Sequence, residues 1–135
     1  MSEPSQVFVT DAPSSSLKDS FGVICSSLCL VHCLFLPMVL PMLLATGVLG
    51  TAGTLLASEQ THLMLLVPVV LLAVMSFPGG YRLHGRLLPS ILALLGLTGL
   101  VLALVLGEAS ETWLTSIGAA MLIIAHLRNR KLLNG

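Results

Sequence analysis

Charge is confined to a few places in this chain, and the gaps between them dictate what it can fold into. Residues 20–58, 60–81, 87–107 and 112–127 contain no Asp, Glu, Lys or Arg. A bilayer core about 30 Å thick is crossed by about 20 apolar residues of helix. The second and third gaps suit one span each. The fourth is shorter, but Trp113 can sit at the interface and Arg128 can snorkel to the headgroups. The first is long enough for one span plus a loop, or for a hairpin of two. Pro37 and Pro41 suit either a turn or a kink inside one membrane helix.

Lysine and arginine choose between these. With four spans, Lys18, Arg82, Arg86, Arg128, Arg130 and Lys131 share one side, and Glu59, Glu108 and Glu111 take the other. With five spans the partition breaks. The positive-inside rule therefore predicts an all-α integral membrane bundle of four transmembrane helices, 20–44, 61–78, 88–107 and 112–128, with both termini cytoplasmic. Residues 1–18 read as a flexible cytoplasmic tail, 19–131 as the membrane domain and 132–135 as a C-terminal tail. No signal peptide is expected, because the apolar stretch begins late and no small-residue cleavage site follows within reach. Residues 45–60 form an outer loop, part of it apolar enough to lie in the interface. The run Pro78-Gly79-Gly80 is expected to break the second helix.

Composition closes off other classes. Hydrophobic residues make up 56% of the chain and charged residues 9%, with a mean hydropathy of +1.01. Soluble domains carry about 25% charged residues. The formal net charge is zero and aromatics are 4%, so neither phosphate neutralisation nor base stacking is available, and no nucleic acid is expected as a partner. No nucleotide-binding loop is present, so no ATP drive is implied. No internal repeat supports an inverted-repeat transporter.

An ionisable side chain at membrane depth costs about 2.5–3.5 kcal/mol on insertion scales, so such residues are functional candidates. The first span carries Cys25, Cys29, His32 and Cys33, and these are all the cysteines of the chain. At 100° per residue the four fall within an arc of about 100°. Neighbouring thiolates on that face, with or without the imidazole, can hold a soft metal ion. A buried cysteine is also an ordinary small hydrophobe, but three on one face with a histidine among them favour a site over packing. Intrahelical disulfides are disfavoured by the parallel Cβ vectors of a regular helix.

Three further clusters carry chemistry. Glu59 and His62, at i and i+3, share a helix face at the outer end of the second span, and Glu111 lies on the same side. They suit a mouth that gathers cations. Equally, Ser58 or Thr61 can cap the helix there, with Glu59 favoured by its dipole. A single Glu-x-x-His is too little for a di-iron centre, which needs two. His84 sits in the basic segment Tyr81–Arg86, where a solvated loop is the plain alternative. His126 lies inside the last span with Asn129 three residues on, where a favourable dipole contact is the alternative.

In this order the motifs resemble the MerC family of bacterial inner-membrane mercury-resistance proteins. The first is Asp19, then Cys25-x-x-x-Cys29-Leu30-Val31-His32-Cys33, then Pro37. Next come Glu59-x-x-His62 and Gly80-Tyr81-Arg82-x-His84. The last is Glu111-x-x-Leu114-Thr115-x-x-Gly118, followed by Ala125-His126-x-x-Asn129. The resemblance covers about residues 19–131. It implies a four-span protein, not an enzyme, that takes up Hg²⁺ through the inner membrane and passes it towards a cytoplasmic thiol acceptor or mercuric reductase. Family cysteines in the first segment are matched by Cys29 and Cys33, or by Cys25 and Cys29. The family's second, cytoplasmic pair has no counterpart here.

The expected mechanism is ligand exchange of Hg²⁺, or another soft ion, along Cys25, Cys29 and Cys33, with His32 beside them to accept a proton. Glu59, His62 and Glu111 gather the ion, and His84 and His126 release it. No permanent cofactor is implied; the metal is the ligand. The bilayer is the other obligatory partner, and a homo-oligomer can enclose the path. The competing readings are a membrane sensor or chaperone-like subunit for Cu⁺ or Zn²⁺ without transport, and a membrane redox enzyme.

Overall fold

The computed structural model describes residues 11–47, 50–56, 58–106 and 108–135, leaving aside the side chains of residues 11–13, 15, 59, 108 and 109. The described chain is helical almost throughout. Helix α1 runs Asp11–Ala45, α2 Gly50–Leu56, α3 Glu59–His84, α4 Leu88–Leu106 and α5 Glu108–Asn134. The reason is solvation. A backbone in hydrocarbon has no water to bond, so each apolar stretch must close its hydrogen bonds within itself.

Three helices are long and apolar enough to cross a membrane: Ser16–Ala45, Gln60–His84 and Leu88–Leu106. The first confirms one helix, rather than a hairpin, through Pro37 and Pro41. The fourth expected span lies within α5, which is long enough but less apolar. Glu111, Thr112, Thr115, Ser116, His126 and Asn129 dilute it. Several of these are turned inward: Thr115, His126 and Asn129 are buried.

One expected boundary is corrected. The run Pro78-Gly79-Gly80 does not end the second long helix, which continues to His84. Away from water, the pull of Pro and Gly towards loops is weak. The real stop is Gly85, left-handed at φ 67°, whose N–H donates to the Tyr81 carbonyl at 2.8 Å. Helix α1 begins at Asp11, within the segment read as the N-terminal tail, and α5 runs to Asn134, within the one read as the C-terminal tail. Residues 1–10 of the N-terminal tail lie outside the described residues.

Helix α5 is the centre of the bundle, packed against α4 and α1, with α3 completing the group against α1. Small residues set the α4–α5 distance. A Cβ on Gly118 would stand 2.7 Å from the Gly96 carbonyl oxygen, and one on Gly96 would stand 2.8 Å from that of Gly118. Only glycine allows so close a backbone approach, the usual device of membrane helix pairs. The core joins Cys29 and Cys33 to Val69, Ala73, Phe77, Ala93, Leu100, Leu122 and Ala125. Large apolar side chains such as Met38, Met64 and Val105 point outward, as a lipid-facing surface requires.

Hydrogen bonds from α5 to the Asp19 carboxylate and from His84 to α5 bring the start of α1 and the ends of α3 and α5 together. The six Lys and Arg therefore collect at one end of the bundle. This is called the basic end below, and the opposite end the outer end.

Candidate metal site

The inward face of α1 is a stripe of Asp19, Gly22, Ser26, Cys29 and Cys33, all buried. The alternating three- and four-residue steps keep one line against α5 and α3. Cys29 is 5% exposed and Cys33 4%, whereas Cys25 stands half-buried at the margin of the core. All three cysteines are free. Cys29 and Cys33 interact with each other, and Cys33 also interacts with the side chains of Thr115 and His62.

Two adjoining cavities open on this pair. The inner one, of about 20 Å³, is lined by Cys29, Cys33, His62, Leu66, Leu100, Leu104, Glu111 and Thr115. The other, of about 70 Å³, shares Cys33, His62, Glu111 and Thr115 and adds Pro37 and Thr112. A single water needs about 10–15 Å³ on this measure. The inner space thus holds one water-sized body, a bare cation rather than a hydrated one.

The candidates from the sequence sort into two places. His62 and Glu111 join the thiol pair: His62 Nδ1 lies 3.7 Å from Glu111 Oε1, and both side chains are about a quarter exposed. His32 meets His62 edge to face, with ring centroids 5.0 Å apart. Its buried Nε2 has no hydrogen-bond partner among the described residues. Glu59 opens α3 one turn before His62, but its side chain lies outside the described residues. Ser58 does take the N-cap position of α3, but without a capping bond; its hydroxyl donates back to the Leu55 carbonyl at 2.7 Å. Thr115 was not singled out from the sequence as a ligand. Its signal is the four-residue step from Glu111, whose carbonyl accepts its hydroxyl at 2.6 Å.

His84 and His126 lie elsewhere, in a cluster at the basic end. From Asp19 to Cys29 the axis of α1 rises about 15 Å. The hydrogen bonds there fix the tautomers. The Arg86 backbone N–H donates to His84 Nδ1 at 3.0 Å, so His84 Nε2 carries the proton. That Nε2–H donates to Asn129 Oδ1 at 2.9 Å. Asn129 Nδ2 donates to Asp19 Oδ2 at 2.7 Å, and His126 Nδ1–H donates to Asp19 Oδ1 at 2.9 Å. Asp19 and His126 are 0% exposed and Asn129 1%. Both nitrogens of His84 are occupied. Of the four imidazole nitrogens in this cluster, His126 Nε2 is the one without a hydrogen-bond partner among the described residues. Asn129, the hub of the cluster, was visible only as the i+3 neighbour of His126.

Glycines make this cluster possible. A Cβ at Gly22 would overlap the His126 ring, and one at Gly80 would overlap the Asn129 amide. The Phe77 ring covers His126 with centroids 4.7 Å apart.

Among the described residues no three or more His, Cys, Asp or Glu side chains converge into a metal cage. A thiol pair with an imidazole and a carboxylate at its mouth suits a soft ion of low coordination number. A family model described as MerC mercury resistance protein matches residues 19–131. Neither a curated relative nor a solved structure matches the chain.

Proposed function

The chain belongs to the MerC mercury resistance protein family, and on that premise we propose that it is a four-span protein of the bacterial inner membrane that carries Hg²⁺, or another soft ion, by thiolate ligand exchange. The observation that carries this reading is the buried Cys29–Cys33 pair, opening through a small cavity to His62 and Glu111. The gathering of all six basic residues at one end supports four crossings, that end facing the cytoplasm.

In this reading the ion reaches the Glu111–His62 mouth and sheds its weaker ligands. Cys33 binds first, being the thiol that lines both cavities. Cys29 binds second, one turn deeper. Each thiol gives up a proton as it becomes a ligand, and the imidazoles of His62 and His32 stand beside the pair to take them. Deeper along α1 the ion passes Ser26, whose buried hydroxyl has no partner among the described residues. His126 Nε2 is the last free lone pair before the basic end. Its other nitrogen is held by a carboxylate, the arrangement that orients imidazole ligands towards metals. Release to a cytosolic thiol ends the passage.

The test is Hg²⁺ uptake into proteoliposomes that enclose a thiol, comparing the wild type with Cys29→Ser and Cys33→Ser. Saturable uptake lost in both variants is the expected result. The hydrogen-bonded basic end, with His126 Nε2 left over, favours one other reading, a metal-holding sensor or chaperone-like subunit that does not transport. Tight binding with no uptake above empty vesicles would replace the carrier with that reading.

A further inference from the structure

On the other side of α5 from the His126 cluster, the basic end holds a cavity of about 390 Å³ lined by Arg86, Leu88, Pro89, Arg128, Lys131 and Leu132. Its size is that of a small-molecule site. Three cations line it and no carboxylate does, in a chain whose formal net charge is zero. None of the three is paired with a carboxylate among the described residues. All three side chains are exposed, and together they give this end of the bundle a positive field that attracts anions. The N-terminus of the long helix α4 also opens here, since Leu88 is its first residue. Pro89 has no N–H and that of Ile91 donates to the Leu87 carbonyl at 2.9 Å, so the N–H groups of Leu88 and Ser90 are the ones left to add partial positive charge.

The frame is rigid. Gly85 stops α3, and the Arg86 backbone bonds His84 Nδ1. The other His84 nitrogen bonds Asn129 on α5. His84 therefore ties the loop that carries Arg86 to the helix that carries Arg128 and Lys131. Both of its nitrogens are used in doing so, which gives this histidine a positioning task separate from any metal.

Depth identifies the occupant. Leu88 begins an apolar span, so the cavity lies where hydrocarbon gives way to headgroups. Leu88 and Leu132 offer apolar wall beside the cations. We propose that this cavity binds the phosphate of an anionic membrane phospholipid, with Arg86, Arg128 and Lys131 as its charge partners. Basic pockets between membrane helices take such headgroups by the same electrostatics. The proposal is independent of the metal pathway.

The experiment is native mass spectrometry of the full chain extracted from bilayers containing equal phosphatidylglycerol and phosphatidylcholine. The expected result is one retained phosphatidylglycerol per chain, favoured about tenfold over phosphatidylcholine. The variant Arg86→Gln/Arg128→Gln/Lys131→Gln should lose that preference. A control with Arg82→Gln and Arg130→Gln, removing charge outside the cavity, should keep it. Arg128→Lys, which keeps the charge, should keep most of it. Equal retention of both lipids by the wild type, or undiminished preference in the triple variant, would overturn the proposal. So would displacement of the lipid by millimolar inorganic phosphate, which would assign the cavity to a soluble anion.

Discussion

The two ends of the α1 stripe are built from opposite principles. At the outer end, Cys29, Cys33, His32, His62 and Glu111 gather around open space, and their mutual contacts are few. The one ion pair there spans 3.7 Å, and His32 Nε2 is left unpartnered among the described residues. At the basic end, Asp19, His84, His126 and Asn129 bond one another at 2.7–2.9 Å and fill the room that Gly22 and Gly80 provide. Polar groups in a bilayer are costly unless satisfied. The basic cluster, where His126 Nε2 is the one ring nitrogen without a partner among the described residues, joins three helices. The outer end leaves its thiols and imidazoles less engaged, which is why the proposed ion chemistry is placed there. In that reading one helix face supplies both the fastening of the bundle and its binding groups.

The sharpest break in this comparison is at the thiols. Cys33→Ser should lower soft-ion uptake by more than about 100-fold, beyond the 10–100-fold typical of groups that only support a ligand. Its effect on folding should be slight, because serine fills nearly the same volume. Radiolabelled Hg²⁺ uptake and an SDS-denaturation midpoint on the same sample separate the two. A large stability loss with normal uptake would reverse the roles assigned to the two ends.

The sequence showed some of this and hid the rest for a physical reason. Charge gaps and the Lys/Arg partition need only one-dimensional information, so the long helices were legible. The cysteine arc was legible because helical periodicity is local. What periodicity does not show is which part of a 100° arc faces the bundle, so Cys25 looked equal to Cys29 and Cys33 and is not. Pairings such as Asp19 with His126 and Asn129 join the two ends of the chain, and no local pattern announces them. Pro78-Gly79-Gly80 misled because loop preferences learned in water do not hold at membrane depth.

At the basic end the expected losses are in stability. Asp19→Ala orphans the His126 Nδ1–H and an Asn129 N–H in a fully buried place. Each orphaned group costs about 1–3 kcal/mol, so the bundle should lose about 2–6 kcal/mol in detergent unfolding. A loss below about 0.5 kcal/mol would mean the cluster is not the fastening described here. Gly22→Ala should cost somewhat less, about 1–3 kcal/mol, by driving a methyl into the His126 ring. The double variant Gly22→Ala/His126→Ala removes the collision, and should lie closer to His126→Ala alone than additivity predicts.

Cys25→Ser sharpens the comparison along the stripe itself. Cys25 stands at the edge of the core and lines neither outer cavity. If the path runs through the deep pair alone, uptake in this variant should stay within about twofold of wild type, well short of the 10–100-fold loss that a supporting group gives. A loss like that of Cys33→Ser would put three thiols, not two, in the relay.

The smallest effect should come from Glu111→Gln at the mouth. Glu111 and His62 are partly exposed and 3.7 Å apart, so their pairing should contribute less than about 1 kcal/mol to stability. In the proposed carrier the carboxylate acts instead at a distance, by drawing cations to the opening. Its loss should therefore slow capture about threefold at low salt and leave maximal uptake unchanged. The difference should shrink at 0.5 M salt, where exposed charges are screened within a few ångströms. A fall in maximal uptake that salt does not alter would place Glu111 among the ligands themselves. The binding end would then reach one turn further out, from the thiol pair to the carboxylate.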